Sequence, residues 1–188
     1  MMRLVKYLSG PALALVLAAG GSTSYSLVGS FSIGNSRLSG DKAAQADLET
    51  ALRVAMAQHR QFHNFSQAGP PELEQFNSSI KWVEPDADLM PTNRQVGVSN
   101  GGDNTNQTVT LAAVSTTGTC WYLVDVASSN SETLTAHLGI RSAGVWYGYQ
   151  DDDATTCNTP DSGPPTASSL SGGWSKKGFS HSKNTRAK

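Results

Sequence analysis

Two cysteines, Cys120 and Cys157, carry the most informative chemistry in this chain. Two thiolates cannot complete a four-ligand zinc site or a multi-disulfide framework. In an oxidising compartment thiols pair when geometry allows, and closing a loop of about thirty-odd residues stabilises a fold by roughly 4 kcal/mol in the chain-entropy account. The alternatives are two unrelated buried thiols or a catalytic thiol, and no neighbouring residue marks either cysteine as activated. His59 and His63 stand four apart, a spacing that binds metal on a helix, but position 60 is Arg where the HExxH motif has its glutamate. A solvated helix end is the plainer reading. Asp151, Asp152 and Asp153 offer hard oxygen ligands for calcium, with a solvated acidic turn as the alternative. No GxSxG-type elbow accompanies the many serines, so neither a metal, a cofactor nor a hydrolytic triad is expected.

Three sequons, Asn64-Phe-Ser, Asn77-Ser-Ser and Asn106-Gln-Thr, occur in a chain rich enough in Asn and Ser to produce them by chance. Charged residues are 15% and aromatics 7% of the chain, while Ser and Thr together number forty. A surface built from hydroxyls instead of charges suits an extracellular protein. The net charge of −1 conceals three zones: +3 over residues 1–40, −9 over 41–161 and +5 over 162–188. Such a division predicts an acidic folded body between two distinct ends. The basic end, residues 158–188, is poor in large apolar groups and reads as a disordered tail. Its Trp174 and Phe179, set among lysines, offer weak, salt-sensitive contact with anionic polymer or with DNA.

The elements that must position these groups follow from hydrophobic periodicity. Asp41–Asn64 is the best helix, with Ser39 or Asp41 as its cap and Ala44, Leu48, Ala51, Leu52, Ala55 and Phe62 forming one packing stripe. Ala68-Gly-Pro-Pro71 ends anything helical. Strand candidates are Ser79–Glu84, Gln95–Ser99, Gln107–Ser115, Cys120–Val126 and Val145–Tyr149, with Thr116-Thr-Gly118 as a tight hairpin connection. Along 120–126 either Trp121, Leu123 and Val126 or Tyr122 and Val124 face the core. One long helix followed by strands implies an α+β fold, a long helix packed on a small antiparallel sheet. The domains are then residues 1–40, 41–157 and 158–188.

The first segment has the layout of an export signal: Arg3 and Lys6, then the apolar run Pro11–Ala19, then small residues. The run is too short to span a bilayer by itself.

In order, the segments Ala43-Ala-Gln-Ala-Asp-Leu-Glu-Thr-Ala51, QTVTLAAVSTTGTCWYLVD (107–125) and GYQDDDATTC (148–157) resemble those of type IV pilins and pseudopilins, particularly Gram-positive actinobacterial forms. The resemblance covers about residues 10–160. It implies cleavage between Gly10 and Pro11, although Leu15 stands where the family has a glutamate. It also implies a Cys120–Cys157 disulfide and a non-enzymatic cell-surface subunit, with a minor role. Its partners would be other pilin subunits, the pilus or type II secretion assembly machinery, and the membrane before assembly. The alternative is a soluble secreted binding module on the same scaffold, cleaved near Ala19–Ser24.

Overall fold

The structure, a computed structural model, describes residues 36–91, 94–100, 106–128, 139–140, 142–150, 157–160 and 163–179. The chain divides into two units, residues 1–30 and 31–188, and every described residue lies in the second.

Helix α1 runs Ser36–Phe62. Ala44, Leu48, Ala51 and Ala55 recur every three or four residues and are buried together against the sheet, with Leu52 half-buried beside them. Phe62 departs from the expected stripe and is 41% exposed. Phe65, in the turn beyond the helix, is fully buried and fills that end of the core instead. Because α1 begins at Ser36, Asp41 lies within the helix and is not its cap. Its Oδ1 accepts hydrogen bonds from Thr117 Oγ1 at 2.8 Å and from the Trp121 indole at 3.4 Å. Thr117 has one hydroxyl proton, which Asp41 accepts, so Ser115 and Thr119 must donate to Thr117 across 2.6 and 3.1 Å. Gly40 permits this docking, since a Cβ there would collide with Thr116 Oγ1.

A second helix, α2 (Pro70–Phe76), occupies residues expected only to stop one. Gly69 precedes it in extended backbone and Pro70 opens it, because proline at the first helical position loses no intrahelical hydrogen bond. The strands are β1 (Lys81–Val83), β2 (Gln95–Ser99), β3 (Thr108–Val114), β4 (Cys120–Val126) and β5 (Gly144–Gln150), in the order β1-β2-β3-β4-β5. The α+β class holds, but the sheet is mixed and not purely antiparallel. Lys81, Trp82 and Val83 pair in parallel with Gln95, Val96 and Gly97, and the other three pairings are antiparallel. The parallel pair follows from the connection through residues 84–94, which carries the chain back to start β2 at the same end as β1.

Every residue of β4 is buried, so both alternative faces expected for it are inside. Trp121, Leu123 and Asp125 share the face of the sheet that α1 covers, beside Val109, Leu111, Ala113, Val145, Tyr147 and Tyr149. Cys120, Tyr122, Val124 and Val126 point the other way, where Leu89, Ile140, Cys157, Leu170 and Trp174 cover them.

This second cover corrects the expectation of a disordered tail, because residues 163–179 are packed onto the sheet. Leu170 and Trp174 lie on the far face, where Gly148 makes room: a Cβ there would meet Leu170 at 2.6 Å and the Trp174 ring at 3.1 Å. Ser175 then exchanges two backbone hydrogen bonds with Tyr147 of β5, at 2.8 and 2.9 Å. Past that bridge Phe179 reaches the α1 face, edge-on to Tyr147 and Trp121 at 4.7 and 5.4 Å. The segment therefore straps around the β5 edge. The tail is poor in large apolar groups, yet Leu170, Trp174 and Phe179 find matching gaps.

Leu48→Ala should lower the unfolding free energy by about 2–5 kcal/mol, as cavity formation in a packed core does. Phe62→Ala should change it by less than about 0.5 kcal/mol, as at ordinary surface positions. Urea denaturation of both variants reads the difference.

Candidate functional site

The residues singled out by sequence separate into those that hold the fold and those that line cavities. Cys120 and Cys157 are disulfide-bonded, with Cα atoms 5.6 Å apart, inside the usual range for the bond. The bond joins the first residue of β4 to the far-face segment. The backbone repeats the tie nearby: Leu89 N–H donates to Cys157 O at 2.9 Å and Asp86 N–H to Thr159 O at 2.8 Å.

His59 and His63 do not form a metal pair. His59 Nε2 lies 3.2 Å from Gln107 Oε1, and Gln107 Nε2 donates to His63 O at 3.0 Å. The second contact fixes the Gln107 amide with its oxygen towards His59, so Nε2 of His59 carries the proton. The ring also packs on Phe65, centroid to centroid 4.6 Å. His63 sits beyond the helix with φ +60°, and no group of three His, Cys, Asp or Glu side chains converges among the described residues. Asn64 and Asn77 each accept from the backbone and hydroxyl of the serine two residues on, forming surface turns. Gly10, Pro11 and Asp151–Asp153 lie outside the described residues.

Trp174 and Phe179 are packing groups and not free stacking platforms. The Trp174 indole donates to Pro165 O at 3.2 Å, and Phe179 closes the aromatic cluster on Trp121 and Tyr147. Of the tail's lysines, Lys176 is held by Ser142 Oγ at 2.6 Å and Ala143 O at 2.8 Å, above the Trp146 ring.

The described residues also form several cavities. One, of about 220 Å3, lies between β5 and the strap, floored by Trp121, Tyr147, Tyr149 and Phe179 and walled by Gly172 and Gly178. A shallow far-face hollow of about 390 Å3 is lined by Tyr122, Gln150 and a run of prolines. Tyr122 donates to Gln150 Oε1 at 2.9 Å, and burial pushes its phenol up to about 12.

Two cavities bring ionisable groups of both signs together: a small one of about 90 Å3 beside Asp47 and Arg94, which are paired with each other, and one of about 240 Å3. The larger is the one whose charges are not paired among the described residues. It opens between the last turns of α1 (Met56, His59, Arg60) and the ends of β4 and β5 (Asp125, Ala143, Gly144). Asp125 is 6% exposed on a strand that is otherwise apolar or aromatic apart from Cys120. Burial holds its carboxyl above the ordinary 3.8, opposed by the nearby His59. Among the described residues nothing donates a hydrogen bond to the Asp125 carboxylate, and the salt bridge present lies elsewhere, Arg94 to Asp47 at 2.5 Å. Sequence reading passed over Asp125. Its signal was there: one carboxylate inside CWYLVDV, at a position whose neighbours two residues back, Leu123 and Trp121, face a core.

No protein family, curated protein or solved structure matches the chain.

Three outcomes are expected. Replacing both cysteines with serine should cost roughly 4 kcal/mol by the loop-closure account, and the unreduced native protein should resist alkylation. Tyr122 stays neutral in the fold while the unfolded phenol ionises near 10. Stability should therefore fall as pH rises from about 10 towards 12, read by phenolate absorbance and denaturation together. A raised Asp125 carboxyl penalises the fold above its ordinary 3.8. Asp125→Asn should thus be more stable than the parent at pH 7, and the gap should close in acid below about pH 4.

Proposed function

We propose that the chain is an exported, non-enzymatic structural subunit of type IV pilin or pseudopilin character, serving as a minor subunit at the cell surface. The observation that carries this reading is the arrangement of α1 along the sheet together with the Cys120–Cys157 bond on the opposite face. A helix that enters the head from its amino-terminal side, and a carboxyl-terminal segment clasped to the middle of the sheet, give a rigid body that can be carried on a rod. The disulfide suits an oxidising exterior, and the hydroxyl-rich surface suits it as well.

The mechanism is assembly. The apolar segment before α1 leaves the membrane and packs against other subunits, while the head faces solvent. At about 25 cal/mol per Å2, a few hundred Å2 of helix surface buried per neighbour contributes several kcal/mol before the costs of association. The short apolar run Pro11–Ala19 implies weak self-packing, hence the minor role. Other pilin subunits and the assembly machinery are the partners on this reading.

A second reading, a soluble secreted binding module on the same scaffold, is favoured by the charged cavity around Asp125. The mature amino terminus separates the two. Mass spectrometry of the secreted or surface-sheared protein should find Pro11 first if the chain is processed as a prepilin, with a label on this chain decorating filaments. A start between Ala19 and Ser24, with label only in the medium, would establish the module and refute the pilin subunit.

A further inference from the structure

The cavity at the carboxyl end of α1 has an electrostatic arrangement that no structural duty explains. Asp125 is a desolvated carboxylate at its floor, without a hydrogen-bond donor among the described residues. A largely buried carboxylate that His59 offsets only in part is costly, and a purely structural strand is better served by an apolar side chain there. Arg60 lines the same cavity from the last turn of α1, and its guanidinium is in no salt bridge among the described residues. The two opposite charges border one space yet form no salt bridge with each other.

His59 cannot fill the gap. Its Nε2 proton is directed to Gln107, and its ring is braced by Phe65. Lys176, a further cation near this end among the described residues, is occupied by Ser142 and Ala143. What remains is a pocket with a negative group buried at one side, a positive group at its mouth, and walls formed by Met56, Val126 and Ala127.

We propose that this cavity binds a small zwitterion of the α-amino acid class, with its ammonium on the Asp125 carboxylate and its carboxylate towards Arg60. The ammonium supplies the donors that Asp125 lacks among the described residues, and the largely buried side chain strengthens such a contact. Arg60 is suited to the other end, because a guanidinium offers a carboxylate two parallel N–H groups. The apolar walls accept a short aliphatic side chain. Assembly into filaments is not required for this binding, and the mature amino terminus is not altered by it, so the two proposals stand or fall separately.

Titration calorimetry on the full chain, with L-alanine, L-valine and L-leucine as probes and butylamine and butyrate as half-ligands, tests the site. At least one amino acid should bind, with backbone amide shifts in NMR confined to residues around Asp125, His59 and Gly144. Butylamine should bind at least tenfold more weakly than that amino acid, and butyrate not at all. Asp125→Asn should weaken the amino acid at least tenfold while its melting temperature matches or exceeds the parent's. Arg60→Gln should weaken the amino acid several-fold and leave butylamine unchanged. No binding by any amino acid at millimolar concentration would overturn the proposal. So would parental affinity in Asp125→Asn, or butylamine binding as tightly as the amino acids.

Discussion

A strand whose side chains are apolar on both faces needs two covers, and β4 is such a strand. Helix α1 supplies the first, through a narrow face of three alanines and one leucine that allows close approach to Trp121 and Leu123. The second cannot come from another helix, because α2 packs beside β1 at the opposite edge of the sheet. It comes from Leu89, Ile140 and residues 157–160 and 163–179, a stretch whose regular structure is one short 3-10 turn and which therefore gains its order from the sheet. The disulfide, the paired backbone contacts around Leu89 and Asp86, and the Ser175 bridge hold that segment in place. Each tie is modest alone. Together they convert a glycine- and proline-rich stretch into the missing half of a core.

The same architecture explains why a charge survives inside. Asp125 is at the last turn of the helix cover, where α1 ends and the core is thinning. One residue pair earlier along β4, Leu123 faces Tyr147 and the interior is closed. At Asp125 the partners are Val109 and Val145, and the helix offers His59 and Met56 instead of further alanines. A carboxylate here can reach a cavity without opening the sheet. The fold bears the cost at its margin, which is where a binding group is tolerated and where a structural one would not be chosen.

Much of the scaffold was legible in the sequence, for reasons that can be named. The helix stripe, apart from Phe62, and the five strand segments follow from apolar spacing; the strand ends agree with the structure to within two residues, whereas the helix begins five residues before Asp41. The parallel β1–β2 pair was not legible, because short strands carry no mark of their direction and residues 84–94 resemble any loop. Residues 70–76 misled because Pro-Pro stops a preceding helix and starts a following one with equal ease. The tail misled because Leu170, Trp174 and Phe179 are few, and composition measures amount where packing depends on placement. Gly148, the residue that admits two of them, sits in a strand, where glycine signals a close approach by another part of the chain. Asp125 could have been found by asking what a carboxylate does in a strand with no polar face.

The strap has a bearing on how copies of this chain could meet. An open sheet invites another backbone at its margins. Here β1 offers only three residues on one side, and on the other Ser175 already occupies the middle of β5, at Tyr147. Neither margin leaves a long, straight ladder to be extended. Among the described residues, then, contact with any neighbour falls to side chains more than to lengthening of the sheet, which limits uncontrolled stacking of copies.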